Sequence, residues 1–278
     1  MKRSIFFAIS VLIVVVSTGD LFAGAPFNNL EGVGGVAFNP LAYLADSKGE
    51  NSHYKIGNAD IIGKPRFGGW YVSLDKVKVD WTTVGVADTF FKRLELSYGY
   101  ETIAQDNATT KRKNNLGAKL LLLPENAFDN KFLPAVSAGS IFKHTSNVGL
   151  GVEASGVDFY LVATKLITQL PRPVLLSGGV LSTKAKVTGV FGFDKDRRET
   201  GFANIDVVLP LDLIVGFEYK RGARFSDFKN ANYWDAHIAW TANKNLSLIL
   251  AYVDAGDYKS SKVTGLGNGV VLSAQYAF

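Results

Sequence analysis

From Phe67 to its last residue the chain repeats one pattern: stretches of about ten residues in which apolar side chains alternate with polar or small ones, each closed by turn-forming residues. Successive strand side chains point to opposite faces, so this alternation predicts strands with one apolar and one polar side. The last stretch is the cleanest. Val270, Leu272, Ala274, Tyr276 and Phe278 share one face, and Val271, Ser273, Gln275 and Ala277 the other. In the same way Trp234, Ala236, Ile238 and Trp240 oppose Asp235 and His237, and Leu213, Val215, Phe217 and Tyr219 oppose Asp212, Gly216, Glu218 and Lys220. Leu116, Ala118, Leu120 and Leu122 oppose Gly117 and Lys119, and Leu94, Leu96, Tyr98 and Tyr100 oppose Arg93, Glu95, Ser97 and Glu101. Val77, Val79 and Trp81 read as an apolar face opposite Lys78, Asp80 and Thr82.

Twelve strands follow from this pattern: 67–75, 77–87, 91–101, 114–123, 132–142, 156–166, 174–184, 200–209, 212–221, 232–241, 245–254 and 268–278. Residues 186–193 read either as one more strand or as a continuation of the seventh. The connections alternate in length, with 102–113, 143–155, 185–199, 222–231 and 255–267 long and those between them shorter. A membrane barrel keeps long loops on one side and short turns on the other, which a soluble sandwich has no reason to do. The fold class predicted is therefore all-β: a transmembrane, antiparallel, up-and-down β-barrel of about twelve strands. An aromatic girdle is expected at Tyr98, Tyr100, Tyr219, Trp234, Trp240, Tyr276 and Phe278.

Two segments precede the barrel. Residues 1–25 read as an export signal: Met1-Lys2-Arg3, a nearly unbroken apolar run from Ile5 to Val16, then small residues up to Ala23-Gly24-Ala25. An apolar core of about 12 residues is shorter than the roughly 20 a spanning helix needs. Cleavage after Ala25 would leave Pro26 behind the cut, so a cut after Gly19 is the alternative. Residues 26–66 break the ten-residue rhythm. They read as a strand and a short helix tucked into the lumen, or as an extension outside it; the glycines and apolar residues favour the lumen.

The chain has no cysteine, which excludes disulfides, thiolate metal sites and a thiol nucleophile. The formal charge of +5 is spread along the chain and does not point to nucleic acid. Glycine at 28 residues and aromatics at 12% suit a membrane barrel. His53, His144 and His237 show no metal-ligand spacing, and no cofactor is expected. His144 is placed in an external loop and His237 in the lumen beside Asp235, with no serine nucleophile motif near. Gly32-x-Gly34 lacks the flanking elements of a phosphate loop and reads as turns or close backbone approach. Lys111-Arg112-Lys113 reads as a solvated external run, with lipopolysaccharide phosphate as its functional alternative; Asp194–Glu199 reads as a solvated mixed-charge loop.

The faces assigned to the lumen carry both signs: Lys78, Arg93, Lys119 and Lys220 with Asp80, Glu95, Glu101, Asp158, Asp206, Glu218 and Asp235, and His237 among them. A strongly selective pore shows rings of one sign. Mixed charges predict a salt-bridged interior, narrow or closed.

Lys64-Pro65-Arg66-Phe67-Gly68, Arg93-Leu94-Glu95-Leu96-Ser97-Tyr98-Gly99-Tyr100 and Leu133-Pro134-Ala135 with Gly139 stand beside Glu31-Gly32-x-Gly34-Gly35 and Asn39-Pro40-Leu41-Ala42-Tyr43. Together they resemble an uncharacterised family of Gram-negative outer-membrane proteins, domain-of-unknown-function family 3034. The Arg-Leu-Glu-Leu-Ser stretch also resembles barrels linked to exopolysaccharide export, and the terminal Phe278 resembles the signature read by the barrel insertion machinery. These resemblances imply an outer-membrane location with lipid and lipopolysaccharide as surroundings, and bring no catalytic residues. The function expected is a narrow, porin-like pore or structural envelope protein without catalysis. The alternatives are an accessory barrel bound to an envelope or exopolysaccharide-export partner and, last, a barrel-wall hydrolase.

Overall fold

The structure, a computed structural model, describes residues 27–46, 54–56, 59–256 and 263–278. The export signal and His53 lie outside the described residues. Two small hairpins come first: β1 (Phe27–Asn28) with β2 (Gly34–Gly35), and β3 (Tyr54–Ile56) with β4 (Ala59–Ile62). Then follow β5 (Arg66–Leu74), β6 (Val79–Phe90), β7 (Leu94–Gln105), β8 (Lys111–Leu123), β9 (Ala135–Thr145), β10 (Ser155–Ile167), β11 (Val174–Ala185), β12 (Phe193–Leu209), β13 (Leu213–Lys220), β14 (Tyr233–Thr241), β15 (Leu246–Asp254) and β16 (Asn268–Ala277). From β5 onward each strand pairs antiparallel with the next, and β16 pairs back onto β5 from Tyr276 opposite Phe67 to Gly269 opposite Leu74. The result is a closed barrel of twelve strands. Closure pairs β16 with β5, so none of the strands β5–β16 is left at an open edge.

Alternating burial runs along every barrel strand, as on β16 and β14. Leu96, Leu116, Leu120, Leu161, Val180, Leu250 and Leu272 point outward and exposed, forming an apolar belt. Phe67, Tyr276 and Phe278 cluster edge-on at 5.6 and 4.9 Å on the rim where β5 begins and β16 ends. Trp240 points outward near that rim, while Phe217, Trp234 and Tyr252 stack at 5.9 Å toward the opposite one, beside Tyr219. Tyr98 and Tyr100 also face outward, and the Tyr98 hydroxyl donates to Asn114 Oδ1 at 2.6 Å.

Several expectations need correction. β6 is turned over relative to its predicted faces: Val79 and Trp81 point inward, while Asp80 points out and accepts from the Tyr71 hydroxyl at 2.7 Å. A shift of one residue in register exchanges every side chain between faces. Here the register is pinned by β5, with Val72 opposite Trp81 and Leu74 opposite Val79. Lys78 sits in the β5–β6 turn, exposed and paired with Asp106, and Arg93 is exposed in the β6–β7 turn. Neither lines the lumen.

Strands also run past the apolar belt, because backbone pairing does not need apolar side chains. β8 starts at Lys111, and β12 takes in the mixed-charge residues Asp194–Glu199, which were read as loop. Length alternation holds for the later connections but not the early ones. Residues 75–78 and 106–110 are short turns on the long-loop side, and 124–134 is a sizeable connection on the other. Residues 186–189 form a 3-10 turn, not a strand. The short helix that was one reading of residues 26–66 is absent among the described residues of that segment, and 36–46 run as irregular backbone against the wall.

Candidate functional site

The lumen is filled by the chain's own residues 27–46, which are buried almost without exception. This plug is held by wall side chains that reach its backbone. Glu95 on β7 accepts from Gly34 N at 2.9 Å and Ala45 N at 2.8 Å. Lys119 on β8 pairs with Glu95 at 3.0 Å and donates to the carbonyls of Gly34, Leu41 and Tyr43 at 3.0, 3.2 and 2.7 Å. Glu218 on β13 accepts from Ala37 N and Phe38 N at 3.1 and 2.9 Å. Ser137 on β9 donates to Ala42 O at 2.6 Å, and Ala42 N donates to Thr164 on β10. Asn28 is clasped by Gln275, the Arg66 carbonyl and the Trp70 indole. Irregular backbone can lie in such an interior only if its polar groups are satisfied in this way.

One plug side chain, Glu31, enters a buried cluster of ion pairs. Glu31 pairs with Lys113 at 3.0 Å and with Lys143; Lys113 also pairs with Glu101 at 2.9 Å and Lys143 with Asp158 at 2.6 Å. Burial alone would raise the Glu31 carboxyl, but Lys143 and then Lys113 hold it well below the usual carboxylate range. Breaking such a buried pair strands a charge and costs about 3–5 kcal/mol.

Glycine lets the plug lie flat on the wall. Gly32 has φ +83°, and a Cβ there would stand 2.7 Å from Tyr98 O and Gly99 N. Gly99 is paired with Gly85, and a Cβ on it would reach 2.5 Å from Glu31 O. Gly99→Ala is therefore expected to cost about 1–3 kcal/mol by overpacking. Urea unfolding of the refolded barrel would show it, together with faster exchange at the amides of Gly34 and Ala37. Unchanged exchange would contradict this docking.

The rest of the lumen is divided. Strands β5, β6 and β13–β16 present an apolar wall with Trp70, Val72, Trp81, Ile249 and Val271, against which Phe27 and Ala37 pack. Above the plug, loops roof the barrel. Val187 and Val190 fold inward, Asn230 bonds Val187 N and Ala185 O, and Lys186 ties Asp194 to Asp227.

Of the residues expected in the lumen, Glu95, Lys119, Asp158, Asp206, Glu218, Lys220, Asp235, His237 and Glu101 are buried on the inner face, whereas Lys78, Asp80 and Arg93 are not. His237 meets Asp235 at 2.7 Å and Asp206 at 2.8 Å, one carboxylate on each nitrogen. That arrangement positions the ring and supplies no nucleophile. His144 lies at the end of β9, not in a loop, with Ser155 Oγ at 2.8 Å from Nδ1. Among the described residues no third group bonds its other nitrogen, which a hydrolytic dyad needs for orientation.

Sequence reasoning missed Lys113, Lys143, Asn115 and Glu31. Lys113 was read as part of a solvated run, yet it is wholly buried. Carrying the inward parity of Lys119 and Gly117 back along β8 would have reached Asn115 and Lys113. Glu31 left no such signal, because its partners are set by the folding of irregular backbone.

A family model described as "Protein of unknown function (DUF3034)" matches residues 25–275. Comparison with curated proteins returned no match. Among solved structures, a KdgM porin is similar at TM-score 0.54 and 12% identity, over 77% of this chain and 99% of that one. A KdgM porin in complex with disordered oligogalacturonate is similar at TM-score 0.53 and 11% identity, over 77% and 99%. The outer membrane protein Omp33 of Acinetobacter baumannii has TM-score 0.45 and 12% identity, over 77% and 98%.

Proposed function

Starting from a chain that belongs to the DUF3034 family and has the fold of outer-membrane porins, we propose that it is an outer-membrane pore held closed by its own residues 27–46. The observation that carries this reading is the plug: polar inner-wall groups on β5, β7, β8, β9, β10, β13 and β16 bind one continuous segment across the lumen. A barrel kept only for structure could fill its interior with apolar side chains, which cost nothing to desolvate. The outward apolar belt and its aromatic ends support a bilayer location, since such a belt in water would drive association. The oligogalacturonate of the KdgM complex is not carried over, because Lys113, Lys119 and Lys143 are already committed to carboxylates.

The test is conductance in planar bilayers, full chain against a chain lacking residues 27–46, each shown by a heat-modifiable gel band to be folded. The full chain is expected to be closed with rare openings, and the deletion steadily open. A folded deletion variant that never conducts would refute the pore.

A second reading rests on the hairpin β3–β4, which extends β6 below the rim through Ile62 opposite Phe90 and exposes Tyr54 and Ile56. It supports an accessory role with an envelope partner, and a pull-down that loses the same envelope protein when Tyr54 and Ile56 become serine would favour it.

A further inference from the structure

Between the plug and the roof lies a cavity of about 60 Å³ whose walls include Leu30, Phe38, Trp81, Val187, Leu266 and Val271. A second, of about 20 Å³, adjoins it, and its mixed lining includes Asp158, Thr183, Thr200 and Asn230 beside Leu181 and Ala185. Thr188, Lys220 and Tyr233 line both and form their common boundary. Lys220 is 7% exposed, and among the described residues its ammonium makes no hydrogen bond or ion pair. Every other buried lysine of the inner wall has a carboxylate partner: Lys113, Lys119 and Lys143. The hydroxyls of Thr188 and Tyr233 and the indole N–H of Trp81 are also buried without partners. Desolvated donors left this way are costly unless an acceptor meets them.

We propose that these adjoining cavities bind a short-chain monocarboxylate of two to four carbons, its carboxylate on Lys220 with the Thr188 and Tyr233 hydroxyls and its alkyl tail in the apolar cavity. The chemistry selects this class. A buried cation flanked by neutral donors calls for a small anion, and the neighbouring apolar wall calls for carbon attached to it. Size sets the chain length, since a dry cavity of about 150 Å³ holds benzene. No carboxylate nearby makes an ion pair with Lys220. Glu31 is taken up by Lys113 and Lys143, Asp158 by Lys143 and Thr183, and Asp235, which lines the apolar cavity, bonds His237 through one oxygen and leaves its other oxygen buried without a partner. The head therefore belongs in the second cavity, away from Asp235, where Thr183, Thr200 and Asn230 share the lining.

The site needs the barrel, plug and roof, but not conduction. It deepens the pore reading by naming a solute class, yet it stands or falls on binding alone. The experiment is titration of the refolded full chain in detergent micelles with acetate, propionate and butyrate, read by calorimetry and by emission of Trp81, which lines the apolar cavity. Propionate or butyrate is expected to bind saturably, 1-propanol and chloride more weakly. Lys220→Met should weaken carboxylate binding about tenfold or more, and Lys220→Arg should restore it in part. A heat-modifiable band shows that each variant is folded. Should Lys220→Met fail to fold, Tyr233→Phe is measured in its place and is expected to weaken binding severalfold. Binding unchanged in the folded variant, chloride binding as tightly as propionate, or no saturable binding of any of the three carboxylates would overturn the proposal. A full chain that binds propionate while the folded variant lacking residues 27–46 never conducts would leave the site standing and remove the pore.

Discussion

Glu31→Ala is expected to convert a closed barrel into one that opens readily. Glu31 ties the plug to two buried lysines of the wall, and its loss leaves Lys113 and Lys143 each with a single carboxylate partner, Glu101 and Asp158. The cost, about 3–5 kcal/mol, falls on plug docking and not on the strand ladders, so the ratio of docked to released plug drops by roughly two to four powers of ten. Single-channel recording reads this directly as open time. A folded Glu31→Ala barrel with the closed-time fraction of the parent would sink the assignment of Glu31 as the latch. The same ion pairs set the pH response. Because the folded carboxyl is held below its unfolded value by Lys143, Lys113 and, less strongly, Lys220, its contribution is fully present above the unfolded carboxylate pKa and is lost only as pH falls through the lower folded value. Opening by acid through this latch is therefore expected below the ordinary carboxylate range, and a channel half open near pH 6 would contradict it.

Lys119→Met should be the most damaging single change on the wall. It strips the cation from buried Glu95 and the donor from three plug carbonyls at once. About 3–5 kcal/mol is expected, seen as a lower urea midpoint of the micellar barrel and as lost exchange protection at Gly34 and Ala45. Replacing Glu95 with leucine in the same chain removes the stranded charge and should recover part of the loss, because an apolar pair of similar volume often matches a buried ion pair. Lys78→Met supplies the contrast: its pair with Asp106 is exposed on a turn, and no shift should be measurable. Equal effects of Lys119→Met and Lys78→Met would mean that burial does not govern these pairs.

Much of the barrel could be read directly from residue order. Period-two alternation is a local property, and where only one face is apolar, as at Leu213–Lys220, Trp234–Trp240 and Val270–Phe278, it assigned both faces correctly. It failed at Val77–Thr82 because β6 carries apolar residues on both faces: Val79 and Trp81 inside, Val84 and Val86 outside. With no polar face to break the tie, register was decided by pairing to β5, which closure onto β16 holds in place. Turn chemistry was silent too. Phe91-Lys92 and Leu211-Asp212 take positive φ at both positions without the Asn-Gly that marks such turns in sequence.

By itself the sequence determined the fold class, a strand number of about twelve, the inward placement of Glu95, Lys119, Glu218, Asp235 and His237, and a mixed-charge interior, because each depends on spacing along one strand. Only the tertiary structure decided what those charges hold. That the plug lies flat where Gly32 meets Gly85 and Gly99 and that Glu31 reaches Lys113 and Lys143 are matters of contact between residues 53 to 112 positions apart in the chain, and that Lys220 is left without an ion-pair partner follows from the same packing. Irregular backbone has no period, so nothing in residue order says which wall groups will satisfy its amides and carbonyls. Closure of the barrel brings those groups together, and the cost of burying any of them unpaired selects the arrangement.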